Sequence, residues 1–287
     1  LMMNLDPRAI GAQIRMRLPQ LTELERKVVD SITARTDLSE LTSLKEIAEE
    51  NNVSEAMIVK LTKKLNFSGF RDFRTKLVYY KNSEVANLHS EIEANDSTEL
   101  LIKKVFRTSI QAIEETISIL DVSEFERAAD ILFKAKFIDL YGVGGSASVT
   151  RDFSHKLLKI GIRGMVHDDA HTMMMSSALL TDNDAVIAIS HSGMTKAVIE
   201  PIKLASRNGA KIIAITNYSE SPVAQFADVV LTSTSQGSHL LGENAASRIA
   251  QLNILDTLFV AIAQKDLKRA EKNLNKTQQS VKNLREY

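Results

Sequence analysis

The sequence predicts a two-part α/β protein: an N-terminal all-α helix-turn-helix domain, then a doubly wound α/β domain on a five-stranded parallel sheet. Three observations carry the prediction. Residues 5 to 80 show apolar residues at helical spacing with short connections between them. From Phe137 onward, apolar β-rich runs alternate with helix-like segments, the order that builds a parallel sheet. Two of those runs, KFIDLYGVGGS and AVIAISHSGMT, break into Gly and Ser just before a helix, as strand, turn and helix do in such sheets.

Length and composition agree. At 287 residues the chain exceeds one ordinary small domain. It has no Cys, which removes disulfides, thiolate metal sites and Cys nucleophiles together and fits a reducing cytoplasm. No apolar run approaches the roughly 20 residues of a membrane span, so a cytoplasmic protein with no membrane partner is expected. The net charge of zero hides an asymmetry: Lys60 to Lys81 holds seven basic residues and one acidic, whereas Asn82 to Glu99 holds five acidic and none basic. A basic module (residues 1–80) abuts an acidic connector (81–97), followed by the α/β domain (98–287).

Taken in order, TELE (Thr22 to Glu25) and SLKE (Ser43 to Glu46) are capping boxes, each opening an apolar helical series. After the second comes IAEENNVSEAMIVKLTKKL, in which Ile47 and Ala48 sit on one helix and Ile58, Leu61 and Leu65 on the next. Asn52 is the expected left-handed residue of the turn between them, and Ser54 the cap of the second helix. On this helix-turn-helix reading Glu55, Met57, Lys60, Lys63 and Lys64 fall on the exposed face of the recognition helix. In FSGFRDFRTKL, Phe67, Phe70, Phe73 and Leu77 pack the following helix beneath it, leaving Arg71, Arg74 and Lys76 for backbone phosphates. The bland reading is a helical bundle with a solvated basic face. Double-stranded DNA is favoured because pattern, caps and basic stretch coincide.

The connector has no Gly or Pro and reads as a helix or semi-rigid arm. Two amphipathic helices follow, the first carrying Leu101, Val105, Ile110, Ile113 and Ile117 and the second Phe125, Ala128, Ala129 and Leu132; both are expected to pack on the sheet. Strands are expected at Phe137–Tyr141, Ile162–Val166, Ala185–Ser190, Lys211–Thr216 and Val229–Thr232, with Gly161 and Gly209 ending two of the intervening helices. At the C-terminus Leu267, Ala270, Leu274, Thr277, Val281 and Leu284 form a stripe suited to intramolecular docking or to a short coiled coil; packing within a dimer or tetramer is the favoured reading.

The two Gly/Ser turns look like anion cradles, because backbone N–H groups, hydroxyls and the positive end of a helix point one way. GVGGSA at Gly142 to Ala147 also satisfies G-x-G-x-x-A, with Asp168 and Asp169 near the distance of a ribose-binding acid, so a dinucleotide is a rival ligand. One such loop, however, explains only the first turn, while a small phosphorylated ligand held between both explains both.

YGVGGSASVTRDFSHKLLKIG with ISHSGMTKAVIEPIKLASRNGAKIIAITN and SPVAQFADVVL resembles the sugar isomerase (SIS) domain, and SLKEIAEENNVSEAMIVKLTKKLNFSGFRDFRTKL resembles the winged helix-turn-helix of the RpiR family of bacterial transcriptional regulators. The resemblance implies that Ser146, Ser190, Ser192 and Thr195 bind the phosphate of a phosphosugar, helped by backbone groups at Gly145, Gly193 and Met194. The alternative is that these hydroxyls only cap helices. His171 and Glu243 are the candidates for the sugar hydroxyls, since each would begin a helix near the carboxyl edge of the sheet. They read equally as a surface cap and as a carboxylate opposing a helix dipole. Met57 and Lys60 depart from the family's usual Thr and Arg in the recognition helix. The expected function is a phosphosugar-sensing regulator, a repressor, acting as a homodimer or higher homo-oligomer. Similarity to regulators of amino-sugar or sialic-acid catabolism makes N-acetylmannosamine 6-phosphate the candidate effector. The alternative is an isomerase or lyase with an accessory helical domain. Such an enzyme needs a poised base, for which only Glu243 and His171 offer themselves, so no catalytic residue, cofactor or metal is assigned.

Overall fold

Both predicted capping boxes form in the computed structural model, which describes residue 6 and residues 9–83, 92–236 and 245–284. The chain divides into two compact units, Leu1–Ile119 with Thr234–Glu243, and Leu120–Ser233 with Asn244–Tyr287.

The first unit holds α1 (Ile10–Arg17), α2 (Glu23–Ala34), α3 (Leu44–Glu50), α4 (Glu55–Lys64), α5 (Phe70–Lys81) and α6 (Thr98–Ile119). At the start of α2, Thr22 Oγ1 accepts from the Glu25 backbone N–H at 3.3 Å while the Thr22 N–H donates to Glu25 Oε2 at 2.8 Å. Asn52 adopts φ +52° in the turn between α3 and α4, as its tolerance of the left-handed region predicts. Ser54 Oγ then caps α4 by accepting from Met57 N–H at 3.2 Å. Ile47, Ile58, Leu61, Leu65, Phe73 and Leu77 close the core of this unit, with Phe67 edge-on to Phe73 at 5.1 Å between centroids.

Helix α6 departs from the expectation that it packs on the sheet: it belongs to the first unit and buries Lys104, Thr108, Gln111, Ala112, Glu115 and Thr116. The reason is polar. Glu115, 1% exposed, accepts from the Tyr80 hydroxyl at 2.7 Å and from Gln111 Nε2 at 2.9 Å and pairs with Arg15, so α6 is tied to α5 and α1 through one buried carboxylate. Gly11 makes room for this, since a Cβ there would lie 2.3 Å from the Tyr80 hydroxyl oxygen. Of the acidic connector expected over 81–97 as a helix or semi-rigid arm, residues 84–91 lie outside the described residues, while 82–83 and 92–97 form turns and irregular backbone and not helix, so the helical expectation is corrected there.

The second unit opens with α7 (Val122–Lys134), capped by Asp121, and then alternates: β1 (Ile138–Tyr141), α8 (Gly145–Lys159), β2 (Gly164–His167), α9 (Ala170–Ser177), β3 (Ala185–Ile189), α10 (Lys196–Arg207), β4 (Lys211–Thr216) and β5 (Val229–Thr232), ending in α11 (Ala245–Lys265) and α12 (Leu267–Ser280). The five strands are all parallel in the order β2-β1-β3-β4-β5. The alternation of side chains sorts the sheet into two cores. Leu140, Ile187 and Ile213 face α7, α8 and α11, while Tyr141, Val186 and Ile212 face α9 and α10. Gly161 and Gly209 take φ +82° and +92° just past α8 and α10, as predicted.

One expectation is corrected here and one is narrowed. Helix α11 is apolar and long enough to cross a membrane by length and composition, yet Ala250, Ile254, Leu255, Leu258 and Ile262 lie buried in the sheet's core, which accounts for its hydropathy. Part of the C-terminal stripe takes the intramolecular reading: Ala270 is buried, Leu274 packs on the same core, and Asn273 Nδ2 donates to the Ile160 carbonyl at 2.9 Å, while Leu267 and Leu284 stay exposed.

Candidate functional site

The sheet order creates the site. The chain leaves β1 through α8 toward β2 on one side and leaves β3 through α10 toward β4 on the other, so the carboxyl ends of β1 and β3 flank a topological switch point, where open α/β sheets hold ligands. The two Gly/Ser turns identified in the sequence are those two carboxyl ends.

Gly144, with φ +57°, forms the turn before α8, a left-handed conformation that glycine adopts without penalty. Gly142 lies so close that a Cβ would come within 3.1 Å of the Ser146 backbone. Gly145 and Ser146 therefore stand in the first turn of α8. In the second loop, Ser190 is buried; its Oγ accepts from Gly193 N–H at 3.1 Å and donates to Thr195 Oγ1 at 3.2 Å, while Ser192 Oγ accepts from Met194 N–H at 3.2 Å. Gly193 takes φ +64°, and a Cβ there would meet Ser221 Oγ at 2.1 Å. Its carbonyl accepts from Val223 N–H at 3.0 Å, and that of His191 accepts from Asn217 N–H at 3.1 Å, so the loop is clamped by the segment after β4. Met194 is exposed at the rim.

The electrostatics of the two loops set them apart. Helices α7, α9 and α12 of the same unit have their first N–H groups satisfied by the side chains of Asp121, Asp169 and Asp266. Helices α8 and α10 have no side-chain cap and no acid in their first turns; Thr195, the residue at the capping position of α10, makes no capping bond. At these two starts the N–H groups of Ser146, Ala147 and Val198 donate to the carbonyls three residues back, and the positive dipole ends that meet the switch point are left without a side-chain cap or an acid. The reading of Ser192 and Thr195 as helix caps fails on this geometry.

His171 is exposed in the first turn of α9. The acids of the dinucleotide alternative are otherwise engaged: Asp168 pairs with Arg151, and Asp169 caps α9, its carboxyl held below the usual range by the Thr172 hydroxyl and N–H. Glu243 lies outside the described residues. Sequence reasoning missed a buried polar network at the same edge: Asn217 Oδ1 accepts from Ser233 Oγ at 2.6 Å and from Ser247 Oγ at 2.7 Å, fixing the first turn of α11 to the ends of β4 and β5. It also missed Asp139, buried on β1 and accepting from the Tyr141 hydroxyl at 3.1 Å and from Ser176, which seats α9 on the sheet. Ser and Asn one residue past a strand were the available signal for the first; nothing in the spacing marks the second.

In the first unit, α4 presents Glu55, Lys60 and Lys63 to solvent, with Ser54 at its exposed start and Arg71 exposed on α5. Four expected contacts have other partners, among them Lys76, which pairs with Asp72 at 3.0 Å. Met57 is half-buried against the helical core. Lys64 reaches Glu25 Oε1 at 2.6 Å, and Arg74 donates to the Thr42 carbonyl at 2.7 Å and lies over the Phe70 ring. Burial acts to raise the Glu25 carboxyl, but the Lys64 ammonium and the Thr22 hydrogen bonds hold it below its usual range. Among the described residues no group of three or more His, Cys, Asp or Glu could hold a metal ion.

Comparison with known proteins matches residues 9–84 to the helix-turn-helix domain of the rpiR family and residues 131–261 to the SIS domain. The HTH-type transcriptional regulator RpiR of Escherichia coli K12 is 41% identical over 273 residues, covering 94% of this chain and 92% of the relative. An HTH-type transcriptional regulator of Haemophilus influenzae is 34% identical over 261 residues, covering 90% and 91%. Among solved structures, the Vibrio vulnificus NanR protein complexed with ManNAc-6P shares the fold at a TM-score of 0.62 and 23% identity, covering 96% of this chain and all of that one.

Proposed function

The chain belongs to the rpiR family of helix-turn-helix transcriptional regulators, a regulator with a SIS domain and not an enzyme, and on that premise we propose that it represses genes of sugar or amino-sugar catabolism until a phosphosugar binds its SIS domain. The single observation that carries the proposal is the pair of uncapped helix starts, α8 and α10, that converge at the switch point beside hydroxyl-bearing loops. A phosphate dianion is the ligand such donors favour. Ser146, Ser190, Ser192 and Thr195 supply hydroxyls, Gly145, Gly193 and Met194 supply backbone groups, and His171 addresses the sugar. N-acetylmannosamine 6-phosphate is the effector of choice, a reading supported by the similarity to the NanR protein complexed with it. The chain acts in the cytoplasm as a homodimer on an inverted-repeat operator, because one recognition helix reads few bases. Of the cations assigned to DNA, Lys60, Lys63 and Arg71 are exposed and have no ion-pair partner among the described residues.

A thermal-shift panel of phosphosugars beside their unphosphorylated parents tests the reading. The effector at 100 times its dissociation constant should add about 2.7 kcal/mol of stability, and its parent sugar none. A panel in which no phosphosugar shifts the melting temperature sinks the proposal.

A further inference from the structure

Helix α6 is inverted. It buries Lys104, Thr108, Gln111 and Glu115 and leaves Ile102, Phe106, Ile110 and Ile117 at 57%, 67%, 46% and 65% exposure. Isolated apolar residues on a surface need no explanation, but a contiguous apolar stripe backed by a buried polar face marks an interaction surface. At about 100° per residue these four and half-buried Ile113 fall within about 80° of arc, along roughly 22 Å of helix.

We propose that this face of α6 pairs antiparallel with the same face of a second copy of the chain, about a two-fold axis beside Ile110. The sequence of the stripe is self-complementary about that point: reversing the helix sets Ile102 against the partner's Ile117 and Phe106 against the partner's Ile113, with the two Ile110 side chains adjacent. An isologous interface requires this self-match. The charges select the same orientation. One flank of the stripe carries Lys103 and Arg107 in its first half and Glu114 in its second. Neither Arg107 nor Glu114 has an ion-pair partner among the described residues; Lys103 reaches Glu99 one turn back. In the antiparallel arrangement like flanks meet and the partner's Glu114 falls between Lys103 and Arg107, whereas a parallel two-fold pair would set this charged flank against the partner's opposite flank, where uncharged Val105 and Ser109 lie. Neither a polyanion nor an anionic lipid surface fits an apolar stripe edged by both signs of charge. The assignment is independent of the DNA and phosphosugar readings.

The test uses the full-length chain. Wild type sediments as a dimer at micromolar concentration, and Phe106→Glu raises the dissociation constant roughly 30-fold or more, the scale of a central interface residue, with an unchanged circular-dichroism spectrum. Glu114→Arg weakens the dimer and the triple reversal with Lys103→Glu and Arg107→Glu restores it. Because the chain has no Cys, Ile110→Cys provides a second readout that does not depend on how Phe106→Glu folds: mild oxidation yields a covalent dimer. A monomeric wild type, a folded Phe106→Glu protein as dimeric as wild type, or an Ile110→Cys protein that stays uncrosslinked while dimeric each overturns the proposal.

Discussion

Gly193 joins local conformation to function. Its left-handed φ and the 2.1 Å approach of Ser221 leave no space for a side chain, so Gly193→Ala should cost about 1 to 3 kcal/mol of stability and abolish phosphosugar binding, as read by urea denaturation and calorimetry. Glu25 has a folded-state pKa below its ordinary value. Its contribution is therefore present above the ordinary carboxylate range and lost as pH falls through the depressed folded value. Glu25→Gln should remove this component, and a stability profile that still declines as steeply between about pH 5 and pH 3 would contradict the assignment. At this scale Asn52, Ser54 and the two capping boxes were legible in the sequence, because each acts on backbone within four residues of itself. The pairings of Lys64 with Glu25, Arg74 with Thr42 and Glu115 with Tyr80 were not, because each spans more than 30 residues of the chain.

At the scale of elements, apolar periodicity located α6 and α12 but not what their faces meet. For α12 the answer came from main-chain acceptors at the end of α8 that no pattern reveals, the carbonyls of Lys159 and Ile160. For α6 it came from Glu115, whose removal tests the account: Glu115→Ala leaves half-buried Arg15 and the buried ends of Tyr80 and Gln111 without their carboxylate and should destabilise the first unit by about 3 kcal/mol, measured by denaturant unfolding. The strand, loop and helix order of the second unit was readable because the runs of β1, β3 and β5 break into Gly or Ser and those of β2 and β4 into Asp and Asn. On α4, exposed Lys63 is assigned to a DNA phosphate. Lys63→Ala should weaken binding to all sequences and reduce the slope of log affinity against log salt by about 0.9, whereas an unchanged slope would move the DNA to another face.

Across the whole molecule, the proposed function requires that occupancy of a site at the carboxyl edge of the sheet alters the affinity of α4 for DNA. A coupling of about 1 to 3 kcal/mol, release being the direction expected of a repressor, is the usual scale. That the chain has two parts of different architecture was legible from the charge asymmetry and the two Gly/Ser loops. The polar network joining Asn217, Ser233 and Ser247 was hidden, since its members are drawn from three separate segments. The account rests on a dianion held between the starts of α8 and α10, and isothermal titration of wild type and the Ser190→Ala, Ser192→Ala double variant with N-acetylmannosamine 6-phosphate and with the unphosphorylated sugar tests it most directly. Binding of the phosphorylated sugar to wild type alone is the predicted result; equal affinity for the unphosphorylated sugar, or undiminished affinity in the double variant, would contradict it.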